Sequence, residues 1–433
     1  MNTIRETESV CPHCLAVLPA KVYEKGNEVW MKKSCPEHGQ FDVYLWPDVQ
    51  HYEWFCGYTF PTVSRTPQSE SSKGCPRDCG LCPSHKRKIT LPEIEVTWRC
   101  NLSCPVCFMA DASVPPDPSL EEIFRMLDAI RRFDGPEFPL QITGGEPTLR
   151  RDLPAIIAMA RNNGASAVEL NTNGIVLGHD RSYLRALRDA GVTNIYLQFD
   201  GVNPATTVRL RGQNVLTDKL RAIEACREEG IPVILSVTIV DGVNDGELGE
   251  IIQFGMDNLD PIVGLALQPA FLSGRFEIEK RKHLSVGDVL RLISDQTSGR
   301  IQASDFLPVS SSHPLCYGST YLLETAGGYE PFTKCFSEAA YRQLFNNTSP
   351  QGAVFKDILT QLSPTGVARR GLPILIMEYM DAWTMDLARA KECNLAVSIS
   401  DGTSIPFCVY HLTNSCGERL YPHGGKGRNV GRA

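Results

Sequence analysis

The sequence predicts an α/β fold: a partial (β/α)6 barrel of the TIM type, with a rubredoxin- or zinc-ribbon-like metal domain before it and a cysteine-rich region after it. Three observations predict this. Between Ile94 and Leu272, apolar runs alternate with helical patterns about six times, and that rhythm builds a parallel sheet covered by helices. Stretches rich in Gly, Asn and Asp follow the apolar runs, at the strand ends where such sheets bind ligands. The chain also carries 16 cysteines in spaced groups.

Length and charge bound the rest. The 433 residues allow two or three domains, drawn here as 1–60 (metal binding), 61–90 (an iron–sulfur segment), 91–275 (the barrel) and 276–433 (a C-terminal cysteine-rich and substrate region). A net charge of −7 does not fit a nucleic-acid partner. No apolar run reaches the ~20 residues of a membrane span, so any membrane contact is expected to be peripheral. The N-terminal MNTIRETESV has no signal-peptide apolar stretch. A cytoplasmic location follows, and there grouped thiols point to metal and not to disulfides.

In chain order, Cys11-Pro-His-Cys14 and Cys35-Pro-Glu-His38 come first, the pattern of knuckles that hold one tetrahedral zinc or iron. The fourth ligand is Cys56 or His38, with Cys56 favoured because sulfur completes a rubredoxin-like set. Next, Cys75, Cys79 and Cys82 stand at a three-plus-two spacing. An auxiliary 4Fe–4S cluster closed by Cys56, Cys408 or Cys416 fits them.

The barrel begins with a strand through Ile94, Val96 and Trp98 and then the loop Cys100-Asn-Leu-Ser-Cys104-Pro-Val-Cys107-Phe108. Three thiolates in one loop leave one iron of a cube open, as a catalytic centre requires. Further strands are expected over Leu140–Ile142, Ala167–Asn171, Asn194–Phe199, Val233–Ile239 and Ile262–Leu267. The first helix starts at a capping box, Ser119 and Glu122, with Leu120, Ile123, Leu127 and Ile130 on one face. Another runs from Leu216 to Glu229 and stops at Gly230; Cys226 on it is an ordinary buried thiol. Beyond Leu272 the rhythm fades. A helix over Val286–Gln296 precedes Cys316, Cys335, Cys393 and Cys408, which are candidates for a second auxiliary cluster. Asp401-Gly402 is read as a type I′ turn of a hairpin that brings Cys393 and Cys408 together. The tail after Cys416, rich in Gly, Lys and Arg, is expected to be mobile.

Taken in order, Cys-x-x-Cys, CPEHG, GCPRDCGLCP, CNLSCPVCF, TGGEPTLR, LNTNG, QFDG, VDGVND, QPA, MDAWTMDLARAKEC and IPFC are similar to the radical S-adenosylmethionine (SAM) superfamily. Within it they resemble the tetraether synthase group, also described as class D radical SAM methylases. The resemblance implies that Cys100, Cys104 and Cys107 hold a 4Fe–4S cluster whose open iron chelates SAM. One electron from a reduced flavodoxin- or ferredoxin-type donor then yields a 5′-deoxyadenosyl radical. The Gly144-Gly145-Glu146 stretch would receive the methionyl ammonium, Thr172 and Asn173 suit ribose and carboxylate, and Gln198 and Asp200 at the next strand end are further cofactor-binding candidates. Arg211 would face the methionine carboxylate and Phe108 the adenine. One or two auxiliary clusters and the N-terminal metal complete the set.

The implied reaction is hydrogen abstraction at an unactivated carbon followed by C–C bond formation. In the tetraether synthase reading this couples lipid chains, and apolar segments such as Leu372–Met377 agree with an apolar substrate. A methylase drawing its carbon from a methylene-folate or pterin donor is the alternative, and a peptide-modifying maturase is another. Gly144, Gly145 and Glu146 argue against a mere electron-carrier module.

Overall fold

The computed structural model describes residues 2–58, 66–111, 114–279, 282–309, 312–347 and 370–423. The tail expected to be mobile lies, beyond His423, outside the described residues. Four antiparallel strands open the chain: β1 (Asn2–Val10), β2 (Val17–Lys25), β3 (Glu28–Cys35) and β4 (Gly39–Trp46), adjacent in that order. Buried and exposed residues alternate along β2 and β3, because successive side chains of a strand point to opposite faces. The inward set, including Val22, Val29 and Met31, joins the main core. Lys33, buried under this sheet, donates to the carbonyls of Ala382 (2.9 Å) and Trp383 (2.7 Å) and ties the ribbon to the C-terminal region. Helix α1 (Val49–Cys56) follows, capped by Asp48, whose carboxylate accepts from the His51 N–H.

The barrel strands are β5 (Leu91–Thr97), the two-residue β6 (Val106–Cys107) in the cysteine loop, β7 (Phe138–Gly144), β8 (Ala165–Thr172), β9 (Asn194–Gln198), β10 (Val233–Ile239) and β11 (Ile262–Pro269). Helix α2 (Leu120–Asp134) starts at the expected capping box. Ile123, Leu127 and Ile130 are buried on it, while Leu120, in its first turn, stays 39% exposed. The helix over Leu216–Glu229 has the expected bounds, as has the one over Val286–Gln296. Ile94, Ile142, Leu170 and Ile195 share one rung of the sheet and belong to the helix-side core. The opposite face of the same strands is the concave one.

The sheet does not stop at six strands. Short β12 (Arg275–Phe276) pairs with β6, and β13 (Leu307–Pro308), β14 (Tyr317–Thr325) and β15 (Gly328–Pro331) form an antiparallel edge. Between that edge and β11 lies β16 (Gly371–Met377), parallel to β11. At the other end β17 (Leu395–Ser398) runs parallel to β5 and carries β18 (Ser404–Pro406). Both extra parallel strands come from the C-terminal region. No βα repeat announces them, because their hydrogen-bonding partners are remote in sequence.

The β17–β18 hairpin departs from expectation. Gly402 donates to the Ile399 carbonyl at 2.8 Å and has φ 84°, and no positive φ occurs at Asp401. The turn is therefore a four-residue Ile399–Gly402 turn with glycine in the left-handed position, and not a type I′ turn at Asp401-Gly402, which requires two positive φ values.

Candidate functional site

Strand β5 ends at Thr97, and the loop bearing Cys100, Cys104 and Cys107 begins two residues later. It is held from below: Arg275 on β12 is paired with Cys107, the Arg275 guanidinium donates to the Cys104 carbonyl (3.2 Å), and Glu277 N–H donates to the Pro105 carbonyl (2.9 Å). All three thiols line one cavity of about 780 Å³. Burial, with Glu146 and the other two thiols adding to it, pushes the Cys100 thiol up to about 11. A metal would hold these sulfurs as thiolates.

Thr143-Gly144-Gly145-Glu146 crosses the end of β5 in direct backbone contact. Gly145 N–H donates to the Thr97 carbonyl and Glu146 N–H to the Arg99 carbonyl, both at 2.8 Å. A Cβ on Gly144 would stand 2.1 Å from the Thr97 carbonyl oxygen, and one on Gly145 2.3 Å from that of Arg99. Only glycine permits this approach. Glu146 points the other way from the expected ammonium contact. It is fully buried, and its oxygens accept from Thr148, from the Thr172 hydroxyl (2.7 Å) and from Asn173 N–H (2.7 Å). Its work is to clip the end of β7 to the end of β8.

Asp200 and Arg211 bind each other. Both are buried, joined by two hydrogen bonds of 2.6 Å, and Arg211 also donates to Thr238 (2.9 Å) and the Val106 carbonyl (3.3 Å). Burial opposes the Arg211 charge, but Asp200 outweighs it and raises the pKa above its usual value. Through Val106, this pair braces the cysteine loop. Gln198 accepts from Lys219 Nζ at 2.6 Å, and the same ammonium donates to the Asn173 carbonyl. Lys219 escaped the sequence reading. Burial lowers it to about 8, with Asp200 pulling the other way. Its signal was a cation on the face of its helix shared by Ala222, Ile223 and Cys226. Phe108 faces the cavity within an aromatic group, 5.7 Å from Phe271 and 5.5 Å from Phe407 between ring centres.

Nine of the other cysteines fall into three groups, and Cys56, Cys226, Cys335 and Cys416 stand outside them. The donor atoms of Cys11, Cys14, Cys35 and His38 all lie within 4.8 Å of one another, and His38 Nδ1 is 3.5 Å from Cys35 Sγ. Burial raises Cys35, yet hydrogen bonds from His38 and the backbone of Glu37 and His38 outweigh it and bring it to about 6. His38, and not Cys56, completes this set. The tight turn after Cys35 folds the imidazole back over the sulfurs, whereas Cys56 ends α1 and faces Arg5, Tyr52 and Arg389. Cys75, Cys79 and Cys82 form a second group, with Cys79 feeling both others and Tyr421 bridging the loop through the Cys79 N–H and the Pro76 carbonyl.

Cys316, Cys393 and Cys408 form a third group, each within electrostatic reach of the others, with Arg389 donating to Cys316 Sγ at 3.4 Å. Cys335 does not join it. Exposed, it follows β15, whose Pro331 pairs with Leu322, about 16 Å along β14 from the end that carries Cys316 at ~3.3 Å per residue.

Comparison with known proteins gives the family. The Radical SAM superfamily model matches residues 69–255, and the model described as the HMPTM N-terminal zinc ribbon domain matches residues 3–47. The chain is 33% identical to the 7,8-dihydro-6-hydroxymethylpterin dimethyltransferase of Methanocaldococcus jannaschii, over 94% of this chain and 93% of that one. It is 37% identical to the GTP 3′,8-cyclase of Acidothermus cellulolyticus over 38% of this chain and 47% of that one. Among solved structures, Streptococcus suis SuiB bound to S-adenosylmethionine is similar, at 18% identity, with 49% of this chain and 48% of that chain covered and a TM-score of 0.41. The chain belongs to the radical SAM superfamily. Membership implies a 4Fe–4S cluster and SAM. The residues fit both: three thiols open on one cavity, whose wall also includes Gly144 and Gly145. Among the described residues no helix is long and apolar enough to cross a membrane.

Proposed function

We propose that this chain is a radical SAM methylase whose acceptor is a pterin-type heterocycle, in place of the lipid coupling implied by the tetraether synthase resemblance. Similarity over nearly the full length of the pterin dimethyltransferase supports the reaction class. The observation that carries the acceptor is the concave face of the sheet. Glu93, Gln141, Asn171 and Gln268 line the cavity there, and buried polar groups need hydrogen-bonding partners that a saturated chain cannot offer.

The cluster and SAM, when bound, supply a carbon radical able to take hydrogen from an unactivated C–H bond. The protein's own part is placement. Gly144 and Gly145 let the end of β7 pack against the backbone that leads into the cysteine loop, Asp200 and Arg211 brace that loop, and the aromatic group around Phe108 keeps water from one wall. We further assign auxiliary 4Fe–4S clusters to the Cys75, Cys79, Cys82 group and the Cys316, Cys393, Cys408 group. An electron donor of the flavodoxin or ferredoxin type, a cytoplasmic location and the four-part domain division belong to the same reading.

The test is turnover of reconstituted protein with reductant, SAM and 6-hydroxymethyl-7,8-dihydropterin. Methylated pterin in the mass spectrum is the expected product. Isotope label in the SAM methyl group and in a methylene-carrier carbon identifies the source of the new carbon. A parallel incubation with saturated lipid that yields coupled chains, and no methylated pterin, would overturn the reading.

A further inference from the structure

One rung on the concave face of the barrel is made of carboxyls and amides. In parallel register Glu93 on β5 pairs with Gln141 on β7, Gln141 with Glu169 on β8, and Glu169 with Asn194 on β9. Paired residues of parallel strands project to the same face, so two carboxyls and two amides line up on the concave side. Such a rung is costly to bury unless each atom is satisfied. Glu169 is: one oxygen accepts from Gln141 Nε2 and the other from Asn194 Nδ2.

Glu93 differs. Its residue is 3% exposed, it lines the cavity, and its Oε1 has no hydrogen-bond partner among the described residues. A second orphan stands two residues further up β8: Asn171 also lines the cavity, and its Oδ1 is buried without a partner among the described residues. The two strands are separated by β7, about 10 Å at ~4.8 Å per step, and the two-residue rise along β8 makes the diagonal from Glu93 to Asn171 about 12 Å between backbones. That span matches a bicyclic ring with polar edges on both sides. An orphaned buried acceptor marks a place where a ligand completes the hydrogen bonding.

We propose that Glu93 is the specificity-determining anchor for the amino-pyrimidine edge of the substrate, with Asn171 accepting an N–H from the ring's far side. This rests on the heterocycle reading of the preceding subsection and adds which residues enforce it. Burial, and then the Glu95 and Glu169 carboxyls, raise Glu93 well above the usual carboxylate range. As a neutral acid it offers both a carbonyl acceptor for an exocyclic amine and an O–H donor for the adjacent ring nitrogen.

The experiment compares Glu93→Leu and Glu93→Gln in the reconstituted holoenzyme. The probe is 6-hydroxymethyl-7,8-dihydropterin, followed by its fluorescence for Kd and by turnover for KM and kcat. Glu93→Gln keeps an acceptor and a donor at similar volume, so binding should stay within a few fold of wild type. Glu93→Leu should weaken Kd and raise KM by about tenfold or more, while its Tm rises because an unpartnered buried carboxyl is gone. A structural role would move Tm and affinity down together, and that result overturns the inference. Wild-type protein that binds the pterin while Glu93→Leu binds it equally overturns the inference and leaves the heterocycle reading standing. Wild-type protein that binds no pterin overturns both.

Discussion

Two cysteine sets in this chain begin from similar short spacings and end in opposite arrangements. In the N-terminal ribbon, three sulfurs and His38 converge within 4.8 Å, a closed tetrahedral complement at the tip of two hairpins. In the barrel loop, three sulfurs open onto a cavity of about 780 Å³, and no fourth cysteine stands in that loop. A closed set holds a metal that folds the protein, whereas a set with a vacancy holds one that reacts. The number of donors that the local backbone can deliver decides between them.

The largest effect should come from breaking the open set. Cys104→Ala is expected to abolish SAM cleavage, while Cys79→Ala leaves some uncoupled cleavage, read as 5′-deoxyadenosine by chromatography. Equal residual activity in the two variants would reverse the assignment of the two loops.

Breaking the closed set should cost fold and not chemistry. His38→Ala should lose the N-terminal metal and, with it, folding energy on the order of 10 kcal/mol in that segment, measured as metal content per chain and as proteolysis within residues 2–46. Cys56→Ala should keep that metal, and its loss there would restore Cys56 as the ligand.

The brace between the open set and the barrel wall can be cut more gently. Arg211→Met strands the Asp200 carboxylate, and removing one partner of a buried pair costs about 3–5 kcal/mol, to be read from denaturant unfolding. A change under ~1 kcal/mol would place the pair in high dielectric after all.

The smallest effect concerns α1, which links ribbon and barrel. Burial, outweighing Asp48, lowers His51 to about 4 from its ordinary 6.5, and its Nδ1 is the acceptor for the Trp46 indole N–H at 3.2 Å. The unfolded chain takes up that proton first as pH falls. Stability should therefore be intact above pH 6.5 and fall through the window from 6.5 to 4, by at most about 3 kcal/mol. His51→Phe should flatten this limb of the pH profile, and an unchanged slope would show that other groups carry it.

Local information runs out at particular residues of this chain. Helix bounds at Leu216–Glu229 and Val286–Gln296 were visible because caps and apolar period are local properties. The cysteine loop was visible for the same reason, whereas Gly144 and Gly145 were visible as residue types but not for the Thr97 and Arg99 backbone they make room for. Cys335 was misgrouped because long cysteine spacings carry no geometry. Glu93 went unnoticed because a Glu in an apolar strand looks like an ordinary outward-facing residue until its neighbours are known.

What the sequence determined by itself is the alternating α/β order and the three-thiol loop at the end of the first barrel strand, both consequences of residues within a few positions of one another. Tertiary structure alone decided that His38 closes the ribbon, that β16 and β17 extend the sheet at both ends, and that Glu93 and Asn171, each with an orphaned buried oxygen, line the cavity. Those outcomes depend on which strands meet and in what register, a choice made by burial of the whole core and not by any single stretch of chain.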